Sequence, residues 1–166
     1  MEGEEAVKVF DLVRKEGNLP ASMKELVPLS FIGAAAVKFY QAKVKLMDQL
    51  GMTEAQRKAT LADGQDAGEM LLNIEARIGE LLPSAEEAES GKGRKREGRA
   101  GTGGTARDVE PRTPIAGKRA RAARAIHSNP DAVSAIIKEA RENEDIPTKT
   151  AVLHKIKADK EESKRK

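Results

Sequence analysis

Apolar residues recur every three or four positions along most of the chain, and Gly and Pro cut that pattern into segments. Residues 4–16 put Val7 and Phe10, with Leu12 or Val13, on one face of a short amphipathic helix. Gly17 suits a C-cap, and Pro20 cannot continue a helix. Ser22, with Glu25 three residues on, has the pattern of a capping box, and Pro28 is expected to kink or restart the helix it opens. From Leu29 to Leu50, residues Ala35, Phe39, Ala42, Leu46 and Leu50 keep three-and-four spacing, and Gly51 ends the run. Thr53 and Gln56 form a second capping box, opening a helix that reaches about Leu82, before Pro83. In its second half Ala67, Leu71, Ile74, Ile78 and Leu81 alternate four and three apart, a heptad seam. Its first half is weaker, with Ala55, Ala59 and Ala62, and Gly64 and Gly68 lower its helix propensity.

Three shorter helices are predicted near the C-terminus. Thr113-Pro114 is an N-cap followed by Pro at the first helical position, with Ile115, Ala122, Ala123 and Ile126 on one face. Asn129-Pro130 repeats the signal for a helix lined by Val133, Ile136, Ile137 and Ala140. Pro147-Thr148 opens the last helix, with Val152, Leu153 and Ile156 inward, and beyond Ala158 the polar tail is expected to fray. Between the two halves, "SAEEAESGKGRKREGRAGTGGTARDVEPR" has no apolar period and reads as a disordered linker. The expected fold is therefore all-α. A long coiled-coil-like helical hairpin (1–83) is followed by a flexible basic linker (84–112), a small three-helix domain (113–160) and a disordered tail (161–166). The hairpin buries little by itself, so a homodimer is expected through Phe39, Leu46, Leu71, Ile74, Ile78 and Leu81; the alternative is a monomer whose first helix covers the seam.

Composition narrows the chemistry. Aromatics are 2% of the 166 residues and Trp is absent, which argues against a sandwich or barrel. With no Cys, disulfides, thiol catalysis and Cys-ligated zinc are excluded. The two His, His127 and His154, have no second ligand at metal spacing, and no Ser sits in a strand–turn–helix elbow. Pairs such as Glu86/Glu87 lie in polar segments unsuited to acid–base catalysis. "GTGGT" lacks the Lys-Ser/Thr of a phosphate loop. The expectation is no enzyme, no cofactor, no metal and no small-molecule substrate. No apolar run approaches the roughly 18–20 residues of a membrane span, and the acidic start "MEGEEAVKVF" is wrong for a signal peptide, so a soluble cytoplasmic protein is expected.

Charge adds a partner. Residues 1–90 carry 10 Lys and Arg against 16 Asp and Glu (net −6), residues 91–125 carry 11 against 3 (+8), and residues 126–166 carry 9 against 8 (+1). A basic block of this kind suggests an anionic partner, nucleic acid first, unless it is merely a solvated linker. Lys92, Arg94, Lys95, Arg96 and Arg99 would form an arm that tracks phosphates. Lys118, Arg119, Arg121 and Arg124 share the first short helix, where Lys118, Arg121 and Arg124 form a ridge toward the backbone. The three short helices match the parts of a helix-turn-helix, whose last helix reads bases with its N-terminal residues. Here those are Thr148, Lys149, Thr150 and His154, with Lys155 behind them for phosphates. The preceding turn, "ENED", is acidic and longer than that motif favours, so a three-helix cap without a ligand is the competing reading. RNA is a weaker expectation for the arm, which has no interleaved aromatics for stacking.

Two segments together, "DAGEMLLNIEARIGELL" (66–82) and "KRARAARAIHSNPDAVSAIIKEARENEDIPTKTAVLHKIK" (118–157), resemble a loosely defined group of helical proteins carried by phages and mobile elements. The second segment also resembles the helical DNA-binding part of ParB-type partition proteins. That resemblance implies a DNA-associated accessory or regulatory role. The partition family's N-terminal nucleotide-binding motifs are missing here. The alternative function is a structural or adaptor protein whose seam helix (67–81) recruits a partner helix.

Overall fold

The computed structural model describes residues 3–16, 18–82, 115 and 117–165. Among these there are six helices and no strand: α1 (Gly3–Glu16), α2 (Met23–Leu50), α3 (Glu54–Leu81), α4 (Lys118–His127), α5 (Pro130–Glu142) and α6 (Lys149–Arg165). The expected linker (84–112), with the "GTGGT" run, lies outside the described residues.

Local chemistry sets the helix ends. Gly51 takes φ +63° as the C-cap of α2, a left-handed conformation that glycine adopts at least cost. Two residues on, the Thr53 hydroxyl accepts from the Gln56 N–H at 3.4 Å, the N-cap half of the expected capping box, and donates to the Gln56 side-chain carbonyl at 2.9 Å. The Ser22 box differs: its hydroxyl donates to the Glu25 carboxylate at 3.0 Å and makes no cap bond to the backbone. Nor does Pro28 break α2, which runs through it. The single lost backbone bond is outweighed there by burial of Leu26 and Leu29 on either side.

The inward face of α2 is not the predicted one. Leu26, Leu29, Ser30, Gly33, Val37 and Tyr40 are buried at helical spacing, whereas Ala42, Leu46 and Leu50 are exposed. Hydropathy skipped Ser30 and Gly33, yet Gly33 is where Phe10 of α1 seats: a Cβ there would stand 2.7 Å from its ring. Phe10 is fully buried in consequence. With α1 laid across it, the α2–α3 hairpin covers its own seam. Leu71, Ile74 and Ile78 are buried inside the chain, so these three residues of the surface expected to meet a second copy are already covered. Phe39 is half-buried, while Leu46 and Leu81 remain exposed.

The short helices do not stand apart from the hairpin. Ile115, Ala120, Ala123 and Ile146 join the hairpin core, and Leu72 of α3 centres a second cluster with Ile126, Val133, Ile136, Val152 and Ile156. Three glycines of α3 make this approach possible. A Cβ at Gly64 would meet Ile146 at 2.5 Å, one at Gly68 the Pro147 carbonyl at 2.6 Å, and one at Gly79 the Ala123 carbonyl carbon at 2.6 Å. Residues that weaken a lone helix are thus the contact surface for the rest of the chain. Polar ties add to it. Gln65 donates to the Asp145 carbonyl at 3.0 Å, and Arg141 reaches Glu69 at 2.9 Å.

Finally, α6 continues to Arg165 instead of fraying after Ala158. Ion pairs four residues apart, Lys155–Asp159 at 3.1 Å and Lys157–Glu161 at 3.8 Å, support the extra turns.

Candidate nucleic-acid interface

Four elements meet above one carboxylate. Glu75 lies on a face of α3 that reads Gly68, Leu72, Glu75, Gly79, four, three and four apart, and that face looks toward the C-terminal helices. It is 2% exposed. Its Oε1 accepts from Lys149 Nζ at 3.1 Å and faces Arg119 Nη2 at 3.8 Å. Among the described residues, Glu75 Oε2 and Arg119 Nε are buried without a hydrogen-bond partner. Arg119 Nη2 donates to the Ser30 hydroxyl, which itself donates to the Val27 carbonyl at 2.8 Å. The guanidinium also lies 4.0 Å over the Phe31 ring, a cation–π contact. Over this centre opens a cleft of about 460 Å³, lined by Ser30 and Phe31, by Lys118 and Ala122 of α4, and by Lys149 and Leu153 of α6.

The cleft redistributes the expected contact residues. Lys149 was expected at a base edge, but its ammonium turns inward to Glu75 because an unpaired buried carboxylate is costly. Thr148 is also engaged: its hydroxyl accepts from the Ala151 N–H at 3.2 Å and caps α6. Thr150 and His154 remain exposed, and with Lys157 they form one outward stripe of α6. Lys155 is paired with Asp159. On α4, Lys118 and Arg121 are exposed, Arg124 is half-buried, and Arg119 leaves the surface for the cleft. Lys92, Arg94, Lys95, Arg96 and Arg99 lie outside the described residues.

The acidic turn also finds a place. Glu144, at φ +51°, accepts from Arg57 Nη1 at 2.6 Å, and Arg57 Nε donates to Asp48 at 2.6 Å. The Glu144 and Asp48 carboxylates together push the Arg57 guanidinium further toward its protonated form. The acidic turn, longer than a helix-turn-helix favours, is therefore tied to the hairpin.

Glu75, Ser30 and Phe31 were missed from the sequence. The available signal was an acid, Glu75, at helical spacing with Gly68, Leu72 and Gly79, a face otherwise of small and apolar residues. Among the described residues, no group of three His, Asp or Glu could hold a metal ion, and no helix is long and apolar enough to cross a membrane. No family model, curated protein or solved structure matches the chain.

Proposed function

We propose that the protein binds DNA without performing chemistry, as an accessory or regulatory protein of a phage or other mobile element. The observation that carries this reading is the placement of cations at two helix starts. Lys118 and Lys149, the first residues of α4 and α6, line the same cleft, with Arg121 exposed beside it on α4. Helix N-termini carry partial positive charge and favour phosphate oxygens. Among the described residues, the cleft wall holds Lys118, Arg119 and Lys149 against Glu75, three cations to one anion. Phosphate contact through Lys118 and Arg121, with Thr150 and His154 nearest to base edges, replaces the role first expected of Lys149. The mobile-element setting rests on the sequence resemblance.

The test is fluorescence anisotropy of the full chain on a labelled random duplex, titrated with salt. Affinity should fall steeply as salt rises. Lys118→Glu with Arg121→Glu should weaken binding at least about tenfold and flatten the salt slope by about 2. No binding at low salt, or an unaffected double variant, refutes the proposal. Tighter binding to single-stranded RNA than to the duplex would move the reading to RNA.

A second reading, an adaptor, is favoured by Leu46, Leu50 and Met52, apolar residues exposed at the hairpin tip. That tip, and not the covered seam 67–81, would take a partner helix or a second copy. Leu46→Glu with Leu50→Glu should then abolish self-association or partner capture, measured by light scattering and pull-down, while DNA binding persists.

A further inference from the structure

We infer that the Glu75 cleft is a phosphate-exchange site. In the free protein Arg119 and Lys149 share the single charge of Glu75. A phosphate group of a bound strand takes over those two cations, together with Lys118 and the first-turn N–H groups of α4. The source of the phosphate rests on the nucleic-acid reading above; the exchange itself rests on the cleft.

Charge is the first ground. Among the described residues, three cations and one carboxylate line the cleft, leaving +2 with Glu75 in place, so a further anion is attracted without any rearrangement. The second ground is poor internal satisfaction. Glu75 is almost fully buried, yet it receives one short bond, from Lys149; Arg119 stands at 3.8 Å, beyond hydrogen-bond length, and Oε2 has no partner among the described residues. A buried pair so incompletely bonded recovers little of its desolvation cost.

The third ground is the waiting donor. Arg119 Nε is buried and unpartnered, and the guanidinium's other anchors are a neutral hydroxyl and a ring face. A phosphate, with several acceptor oxygens, can take a guanidinium through two parallel bonds, which Glu75 does not do here. Access is the fourth ground. Lys149 and Arg119 line the cleft and retain 36% and 23% side-chain exposure, and Gly117, the N-cap of α4, has no side chain to occupy that helix start.

Two probes test this on the full chain: the labelled duplex, and inorganic pyrophosphate as a competitor that carries no base or sugar. Glu75→Gln should bind both about tenfold more tightly at low salt. That is the size expected for one unit charge removed within about 10 Å at an effective dielectric constant near 20. In the wild-type protein, the carboxyl ¹³C resonance of Glu75 should shift as duplex saturates it, a readout that holds even if Glu75→Gln does not fold. If duplex binds but the folded variant gains no affinity, or the resonance stays still at saturation, the exchange is refuted and DNA binding stands. If duplex does not bind while pyrophosphate binds and Glu75→Gln tightens it, the exchange stands and the nucleic-acid reading falls. If neither probe binds, both fall.

Discussion

Gly79→Ala should destabilise the protein, although in a lone helix the same change is favourable. Alanine exceeds glycine in helix propensity by about 1 kcal/mol, so α3 alone would gain that much. In the folded chain the new Cβ would overlap the Ala123 carbonyl, 2.6 Å from its carbon, and stand 2.8 Å from His127 Cβ. The obstacle is backbone of α4, which cannot rotate away as the end of a flexible side chain can. Relief requires sliding α4 off α3, which strips Ala123 and Ile126, both fully buried, of part of their packing. Overpacking of this kind costs about 3 kcal/mol at its upper range, leaving a net loss of about 2 kcal/mol. For a chain of this size that lowers Tm by about 4–8 °C. Urea unfolding followed by circular dichroism measures the loss directly. A peptide of residues 54–82 carrying the substitution supplies the sign control and should gain helicity. A full-length variant as stable as the wild type, or about 1 kcal/mol more stable, would show that α4 does not rest on Gly79.

Three further outcomes are expected. Gly51→Ala meets no neighbouring atom within 4 Å, so its cost is left-handed strain alone, about 1 kcal/mol by urea unfolding, and Gly51→Asn should cost less. Lys149→Ala removes the one short bond to buried Glu75; a stability loss of about 1–2 kcal/mol with unchanged DNA site preference separates this inward role from base reading. The Arg77–Glu80 hydrogen bond at 2.6 Å holds the Glu80 carboxyl below the usual glutamate range. Because the folded value is the depressed one, that pair stabilises the fold above the ordinary glutamate pKa, and its contribution fades as pH falls through the lowered value. Titration of the Glu80 carboxyl carbon in the wild type and in Arg77→Ala measures this; identical curves would refute it.

The chain's punctuation was legible because helix ends are local events. Gly51 in a left-handed C-cap, Thr53 with Gln56, and Asn129 before Pro130 each act within about one turn, and each sits where its residue type implies. The all-helical class followed from the same short-range patterning. The faces were less legible. Hydropathy set Leu46 and Leu50 on one apolar stripe of α2, yet both are exposed within this chain, while Ser30 and Gly33, off that stripe, are buried. Periodicity records how apolar a residue is, not what stands opposite, and Gly33 is buried because Phe10 needs the room.

Only the tertiary structure decided what the seam and the cations do. Leu71, Ile74 and Ile78 announced a surface requiring cover, and α1, α2 and α4 of the same chain supply it. Gly64, Gly68 and Gly79 counted as helix weaknesses in one dimension and became the ground on which the C-terminal half lies. Arg119 and Lys149 looked like any other basic residues on a helix until Glu75, 44 and 74 positions away, drew them inward. Helix formation depends on neighbours within about four residues, which a sequence displays. The direction of a charged side chain depends on a partner carboxylate whose position is set by packing, and that partner is absent from any local window.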